Sequence, residues 1–392
     1  MALYIFIFCA AGLFYIYLGY PALIWLLART AGRPVRRTGV LAEKPTCSIV
    51  ISSYREGEAL LRKVKNMLAS ASIVHVQEIV VGLDGSPGNN EPGPAEFEAL
   101  VQGSGHVPAV RVVTFPERRG KASVLNDLVP LTGGKILVMM DARQILHPEA
   151  IASLVANLGD PTVGVVSGEL VFRPDAGVSE GGAASEGVGF YWRYEKFIRR
   201  WEARFRSVPG ATGALYAIRR ELFRPIPATT LLDDVAIPMQ AVAMGARCVF
   251  EPSAEVYDVP SATAGRESLR KRRTIAGVAQ LMRLYPEWLV PWRNPIWFEY
   301  VSHKVLRLAS PLLLAGLLAA NLALLAVSPC FAWMGVAHAG FYSLALGGIV
   351  AQRCGRKAGF LGVPVMFVAL NATTALALWD ALRGRYDVAW KK

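Results

Sequence analysis

Charge is scarce in this chain of 392 residues: 18% are Asp, Glu, Lys or Arg, where an ordinary soluble domain has about 25%. Hydrophobic residues reach 53%. That balance excludes a disordered or collagen-like chain and points to a membrane protein. Cysteine is sparse too. Cys9, Cys47, Cys248, Cys330 and Cys354 form no CxxC pair and no Cys/His cluster, which argues against a disulfide scaffold and a structural zinc site. The histidines are isolated and none is given a catalytic role; no internal repeat is visible. Acidic charge is the rarer sign, since 42 − 30 leaves +12. A basic excess suits nucleic acid, anionic lipid or phosphorylated substrates, and position must decide between them.

Three long stretches lack charge altogether. Met1 to Ala28 has none, and Arg29, Arg33, Arg36, Arg37 and Lys44 follow it. A secretory signal would carry its positive charge before the apolar run. Residues 1–28 therefore read as a retained transmembrane anchor, with the N-terminus outside and the basic flank in the cytoplasm. Leu308 to Gln352 is the second uncharged stretch. As one helix it would be about 67 Å long, roughly twice a bilayer core, so two spans turning near Ser328-Pro329-Cys330 are expected. Arg353, Arg356 and Lys357 form another basic flank, and Ala358 to Trp379 is long enough for a further crossing. Four spans in all would leave Arg383, Arg385, Lys391 and Lys392 outside, against the positive-inside bias. The transmembrane region 308–380 is thus read as two to three spans. Residues 286–304, with Trp288, Trp292 and Trp297 among charges, are expected to form an amphipathic segment along the cytoplasmic surface, the alternative being a buried helix of the soluble domain.

Residues 45–285 are about 240 residues, enough for one large α/β domain. Apolar runs at Ser48–Ser52, Glu78–Leu83, Arg111–Phe115, Lys135–Asp141 and Gly164–Phe172 alternate with helix-like stretches such as Glu56–Ser72 and Pro148–Leu158. This pattern predicts a mainly parallel sheet covered on both faces. Polar residues just past the strand ends then face a ligand crevice. They are Ser52 to Glu56, Asp84-Gly85-Ser86, and Asp141-Ala142-Arg143. Gly120-Lys121 opens a helix, an arrangement that can hold a phosphate. Each motif is weak alone, because an Asp at a strand end is commonly a helix cap.

Taken in order, these motifs resemble the membrane-embedded family-2 glycosyltransferases, the group with cellulose, hyaluronan and chitin synthases and many bacterial polysaccharide enzymes. ISSYRE resembles the family's IPxYNE, with Arg55 in place of Asn. GLDGS resembles its VDDGS, keeping Asp84; GKASVLN matches GKxxALN. DARQ stands where the family has DxD, with Arg143 replacing the second Asp. GATGALYAIRR resembles the acceptor-side glycine segment, and LLDD the TED or GDD signature. The resemblance implies a GT-A fold and a nucleotide-sugar donor, UDP-linked by family habit. Tyr54, Glu56 and Asp84 would contact base and ribose. Lys121, Asp141, Arg143 and Arg273 would serve the diphosphate; Gly210, Thr212 and Gly213 would line the acceptor side. Trp192 and Tyr191 have faces on which a sugar can stack, packed core aromatics being the alternative.

Asp233 and Asp234 are adjacent carboxylates, and such a pair can raise one member's pKa toward that of a useful base. The resemblance makes Asp234 the base of an inverting transfer and Asp233 its support, while VAIPMQAVAMG after them also allows a helix cap. Asp141 remains as a ligand for Mg2+ or Mn2+. Arg143 cannot be one, so either the cation is held by Asp141 and the diphosphate, or an arginine carries part of its electrostatic role. Arg270 to Thr274 sits where processive synthases have QxxRW. Only Arg273 survives, and the missing tryptophan weakens processive extension.

The expected function is an inverting glycosyltransferase of the cytoplasmic membrane face. Its partners are a nucleotide-sugar donor, a glycan or lipid-linked acceptor and membrane lipids, in polysaccharide biosynthesis. A single transfer to a polyprenyl phosphate or glycolipid, and a silent nucleotide-sugar-binding relative, are the alternatives. Nucleic acid is not an expected partner, because the basic groups cluster at membrane flanks and diphosphate positions. So few spans are ill suited to enclosing a polymer channel, which points to a homo-oligomer or a separate exporter for a secreted product.

Overall fold

The computed structural model describes residues 1–36, 46–70, 73, 75–85, 92–101, 108–172, 184–259, 264–354, 356 and 358–384. Arg37, Lys44, Ser86, Lys357, Arg385, Lys391 and Lys392, and the loop expected after Phe172 as far as residue 183, lie outside the described residues.

Among the described residues, eight strands form one sheet: β1 Cys47–Ser53, β2 Val76–Asp84, β3 Ala109–Phe115, β4 Ile136–Asp141, β5 Ile145–Leu146, β6 Val163–Phe172, β7 Leu215–Arg219 and β8 Arg247–Asp258. Across the sheet the order is β3-β2-β1-β4-β7-β6-β8-β5. The β3-β2-β1-β4 half is parallel throughout, as the Val- and Ile-rich runs predict. The other half is mixed: β7 runs antiparallel to both β4 and β6 and β5 antiparallel to β8, while β6 and β8 pair parallel. β7 lies inside a segment read for its glycines and arginines, and β8 carries Pro252 and charged residues that hide its period. Helices pack on the sheet by ordinary amphipathic spacing. In Glu58–Leu68, Leu60, Val64 and Met67 are buried, and Lys63 shares their face.

Among the described residues, four helices are long and apolar enough to cross a membrane: Ala2–Thr30, Trp297–Leu324, Pro329–Arg353 and Gly359–Leu382. One precedes the sheet and three follow it. Leu312, Trp333 and Phe360 point outward, a pattern suited to lipid rather than water. The helices touch through small residues: a Cβ on Gly316 would lie 2.9 Å from Cys9 Sγ. Residues 286–304 divide in two. Trp288 is buried and stacks on Tyr285 at 4.1 Å, whereas Trp292 is exposed. From Trp297 the chain belongs to the second long apolar helix.

A buried polar seam joins the sheet domain to these helices. Helix Ala184–Phe205 presents Glu195 and Glu202 to His303, whose Nε2 and Nδ1 lie 3.1 and 2.8 Å from them. Arg307 pairs with Glu195, the Tyr20 hydroxyl donates to Glu202 at 2.5 Å, and Arg206 grips both oxygens of Glu299 at 2.8 Å. The basic, aromatic stretch after Phe190 is thereby a docking helix, its acidic residues facing inward.

The β6–β8 pairing shifts register between Ser167 and Glu169. A Cβ on Gly168 would lie 2.7 Å from the Ala254 carbonyl oxygen, a backbone contact that cannot swing aside. Gly168→Ala is expected to destabilise the protein by about 1–3 kcal/mol. The check is a lower melting temperature of the detergent-solubilised protein by tryptophan fluorescence.

Candidate active site

The parallel strands β1, β2 and β4 deliver their C-terminal ends to one edge of the sheet, the edge at which such sheets bind ligands. After β1 the chain turns sharply: Arg55 has φ +56°, the only positive φ outside glycine among the described residues, and Gly57 follows at +52°. A non-glycine residue there is strained, and such strain collects at functional sites. The turn exposes the Tyr54 ring to the Arg118 guanidinium, 4.1 Å from its centroid. Glu56 stands beside it, half-buried, its carbonyl accepting the Ala59 N–H.

Asp84, at the end of β2, is buried and accepts the backbone N–H groups of Arg119 and Gly120 at 2.6 and 2.8 Å. It thus anchors the loop that leads to Lys121. Gly120 has φ +85° and begins helix Lys121–Leu128. From that helix start Lys121 Nζ reaches Asp141 Oδ1 and Asp233 Oδ2, each at 2.9 Å. Burial opposes its charge, but Asp141, Asp233 and Asp234 outweigh burial and hold the ammonium above its ordinary pKa. Burial likewise works against Asp141, yet Lys121, Arg270 and Arg143 keep that carboxyl below the usual range.

Asp233 and Asp234 form the first turn of helix Asp233–Ala243, where carboxylates are favoured by the helix dipole. Neither caps it, since the cap position is Leu232. Asp233 turns to Lys121. Asp234 Oδ2 accepts the Gly213 N–H at 3.1 Å, and the Asp234 carbonyl accepts the Ala211 N–H at 2.7 Å. Burial and the neighbouring Asp233 push the Asp234 carboxyl up to about 6, against the pull of Lys121. The glycine loop is pressed onto this helix. Gly210 has φ +114°, and its Cβ would lie 3.0 Å from Val235; Thr212 N–H donates to Ser167 Oγ at 3.0 Å. Arg273 closes the site from helix Ala264–Leu284. Its Nη2 donates to the Leu231 carbonyl at 3.2 Å, and its charge acts on Asp233, Asp234 and Asp141.

The fold therefore brings Lys121, Asp141, Asp233, Asp234, Arg273 and the 210–213 loop together, with Asp84 behind them and Tyr54 and Glu56 at the next strand end. Trp192 instead packs on Phe172 at the end of β6, ring centroids 5.4 Å apart. Among the described residues no group of three or more His, Cys, Asp and Glu is arranged to hold a metal. Asp141 fits a cation shared with a ligand: it is ionised, about a third exposed, and only its Oδ1 is engaged among the described residues.

Several groups escaped sequence reasoning. Asp258, at the end of β8, accepts hydrogen bonds from Arg143 and Gln144 on one oxygen. Lys63 is fully buried with no hydrogen-bond partner for its ammonium among the described residues. Burial pushes it down to about 8 against Asp141 and Asp258. The Tyr216 hydroxyl is likewise buried without a partner among the described residues. Only Lys63 had a legible signal, a lysine in an apolar stripe of helical period.

Residues 48–226 match the family model described as glycosyl transferase family 2. An uncharacterized protein of Sinorhizobium fredii is 25% identical over 273 residues, 63% of this chain and 29% of that protein's length. An N-acetylglucosaminyltransferase of Bradyrhizobium elkanii is 23% identical over 127 residues, 32% of this chain and 67% of that one. Among solved structures, a mannosyltransferase of Pyrobaculum calidifontis, in complex with GDP-Man and Mn2+, aligns over 98% of this chain and 100% of its own with a TM-score of 0.70 and 22% identity. That likeness is one of fold. Residues 48–226 are thus similar to glycosyl transferase family 2, and the chain has a GT-A fold.

Proposed function

We propose that this enzyme transfers a sugar, with inversion, from a nucleotide-sugar donor, a UDP-sugar in the first instance, to a glycan or lipid-linked acceptor at the cytoplasmic membrane face, as a step of polysaccharide biosynthesis. The observation that carries this reading is the single cluster of Lys121, Asp141, Asp233 and Asp234 at the crevice edge. Asp234 is the base. Its raised pKa suits proton abstraction near neutrality, and its place against the Gly210–Gly213 loop puts it on the acceptor side. The acceptor hydroxyl gives its proton to Asp234 as its oxygen bonds to the anomeric carbon. The bond from that carbon to the diphosphate oxygen breaks, and the nucleoside diphosphate leaves with the electron pair. Lys121, Arg143 and Arg273 oppose the charge that develops on it. Asp233, paired with Lys121, holds the neighbouring carboxyl's pKa up. Tyr54 and Glu56 are assigned to base and ribose. Asp84 shapes the loop around Lys121, Gly210, Thr212 and Gly213 form the acceptor wall, and Trp192 is assigned to the acceptor as a ring on which a sugar can stack. A Mg2+ or Mn2+ ion held by Asp141 would neutralise diphosphate charge.

Orientation follows from the flanks. With the N-terminus outside, Arg29 in the last turn of the first long helix with Arg33 and Arg36 beyond it, and Arg353 at the end of the third with Arg356 beyond it, fall on the same side as the domain.

The test is a panel of UDP- and GDP-sugars. One of them is expected to raise the melting temperature of the solubilised protein and to be turned over; no shift and no turnover with any would overturn the proposal. Asp234→Asn is expected to lower kcat by about 10²–10⁴-fold while donor protection persists, and equal nucleotide release by both proteins would remove Asp234 from the base role. Because the base must be ionised, kcat/KM should fall as pH drops through about 6, read from a pH–rate profile. EDTA should abolish turnover, with Mg2+ or Mn2+ restoring it; full activity under chelation excludes the ion at Asp141.

A further inference from the structure

We infer that Asp258 is a positioning residue that fixes Arg143 as a clamp on the donor's diphosphate. This rests on the reading of the site given above and deepens it. Arg143 stands two residues after Asp141, where a second acidic residue would be expected, and a long cationic side chain there is useful only if its direction is fixed. Asp258 supplies the direction. Its Oδ2 accepts Arg143 Nη2 at 3.0 Å and Nε at 3.3 Å, and Gln144 Nε2 at 3.1 Å, while its Oδ1 accepts the Val259 N–H at 2.9 Å. The register explains the meeting. β5 pairs antiparallel with β8, Ile145 opposite Tyr257, which puts Gln144 and Asp258 next in line across the two strands.

The pair is asymmetric in the way a clamp requires. The Asp258 side chain is 8% exposed and the Arg143 side chain 45%. The carboxylate is thus anchored in the protein, and the guanidinium keeps Nη1 for a ligand. A guanidinium bound edge-on by one carboxylate still offers donors suited to phosphate oxygens. Two further buried atoms mark the place as electrostatically arranged. Gln144 Oε1 and Lys63 Nζ have no hydrogen-bond partner among the described residues, and the Lys63 charge acts on Asp141 and Asp258. Lys63 therefore offsets the two carboxylates from behind, so that Asp258 holds Arg143 without making the crevice acidic at its diphosphate end. A guanidinium fixed beside Asp141 complements a cation shared by that aspartate and the diphosphate.

The test is a double-mutant cycle on the full-length solubilised enzyme: Arg143→Ala, Asp258→Asn and both together, with donor KM, kcat, inhibition by nucleoside diphosphate and melting temperature measured for each. Each single substitution is expected to raise the donor KM and the inhibition constant of the diphosphate about tenfold and to lower kcat as well, because Arg143 also opposes the charge on the leaving diphosphate. The double variant should be no worse than Arg143→Ala alone. Multiplying effects in the double variant would overturn the inference, as would an Asp258→Asn enzyme with lowered melting temperature but unchanged KM. If Asp258→Asn does not fold, Asp258→Glu keeps the charge and displaces the carboxylate by one methylene. It should raise KM in the wild-type background and not in Arg143→Ala, and any other pattern counts against the clamp. The parent enzyme separates the two levels of the argument. Absence of donor turnover in it removes the proposed function, whereas normal turnover with independent Arg143 and Asp258 effects removes only this inference.

Discussion

Lys121 holds two carboxylates from distant parts of the chain at equal distance, Asp141 at the end of a parallel strand and Asp233 at the start of a helix more than ninety residues later. The crevice depends on that shared ammonium. Three aspartates this close repel one another, and unit charges about 4 Å apart interact by about 4 kcal/mol at the effective dielectric of a protein site, against about 1 kcal/mol in water. One lysine cannot satisfy all three. It engages Asp141 and Asp233 and, among the described residues, leaves Asp234 with a backbone N–H on its carboxylate. The inequality among the three acids follows from geometry: two are paired with the lysine, and the third takes the elevated pKa that the proposed base requires.

The same economy of charge governs how the domain meets its long apolar helices. Glu195, Glu202 and Glu299 are buried, and each is matched by Arg307, His303 or Arg206. Removing one partner of such a buried pair leaves an uncompensated charge, which is far more damaging than the pair is stabilising. The seam therefore specifies one docking arrangement of helix Ala184–Phe205 on the apolar bundle. Arg272 and Asp380 repeat the device between helix Ala264–Leu284 and the last apolar helix. Since Arg273 belongs to that same helix, the site and the bundle are held by adjacent residues.

Much of the fold was legible because its physics is local. Strands β1, β2, β3, β4 and β6 are Val- and Ile-rich runs bounded by turns, and the apolar helices declare themselves by length and lack of charge. β7 and β8 were not legible. β7 is short and flanked by glycines and arginines, and β8 mixes Glu251, Pro252 and Glu255 into a strand whose burial depends on β6 beside it. The acidic residues at the strand ends and the Lys121 helix start were readable as a set, but not their pairing. Asp84 was read as a ribose contact, and its two hydrogen bonds to backbone become visible only when the loop before Lys121 folds over it.

What the sequence determined by itself is the inventory and its order: which residues can carry charge to the ends of which strands, and which segments are too apolar for water. Those properties depend on neighbours a few positions away. Tertiary structure alone decided the partners, because a hydrogen bond between Asp258 and Arg143, or a lysine shared by Asp141 and Asp233, depends on strand register and helix placement across gaps of about a hundred residues. No local periodicity encodes such a distance.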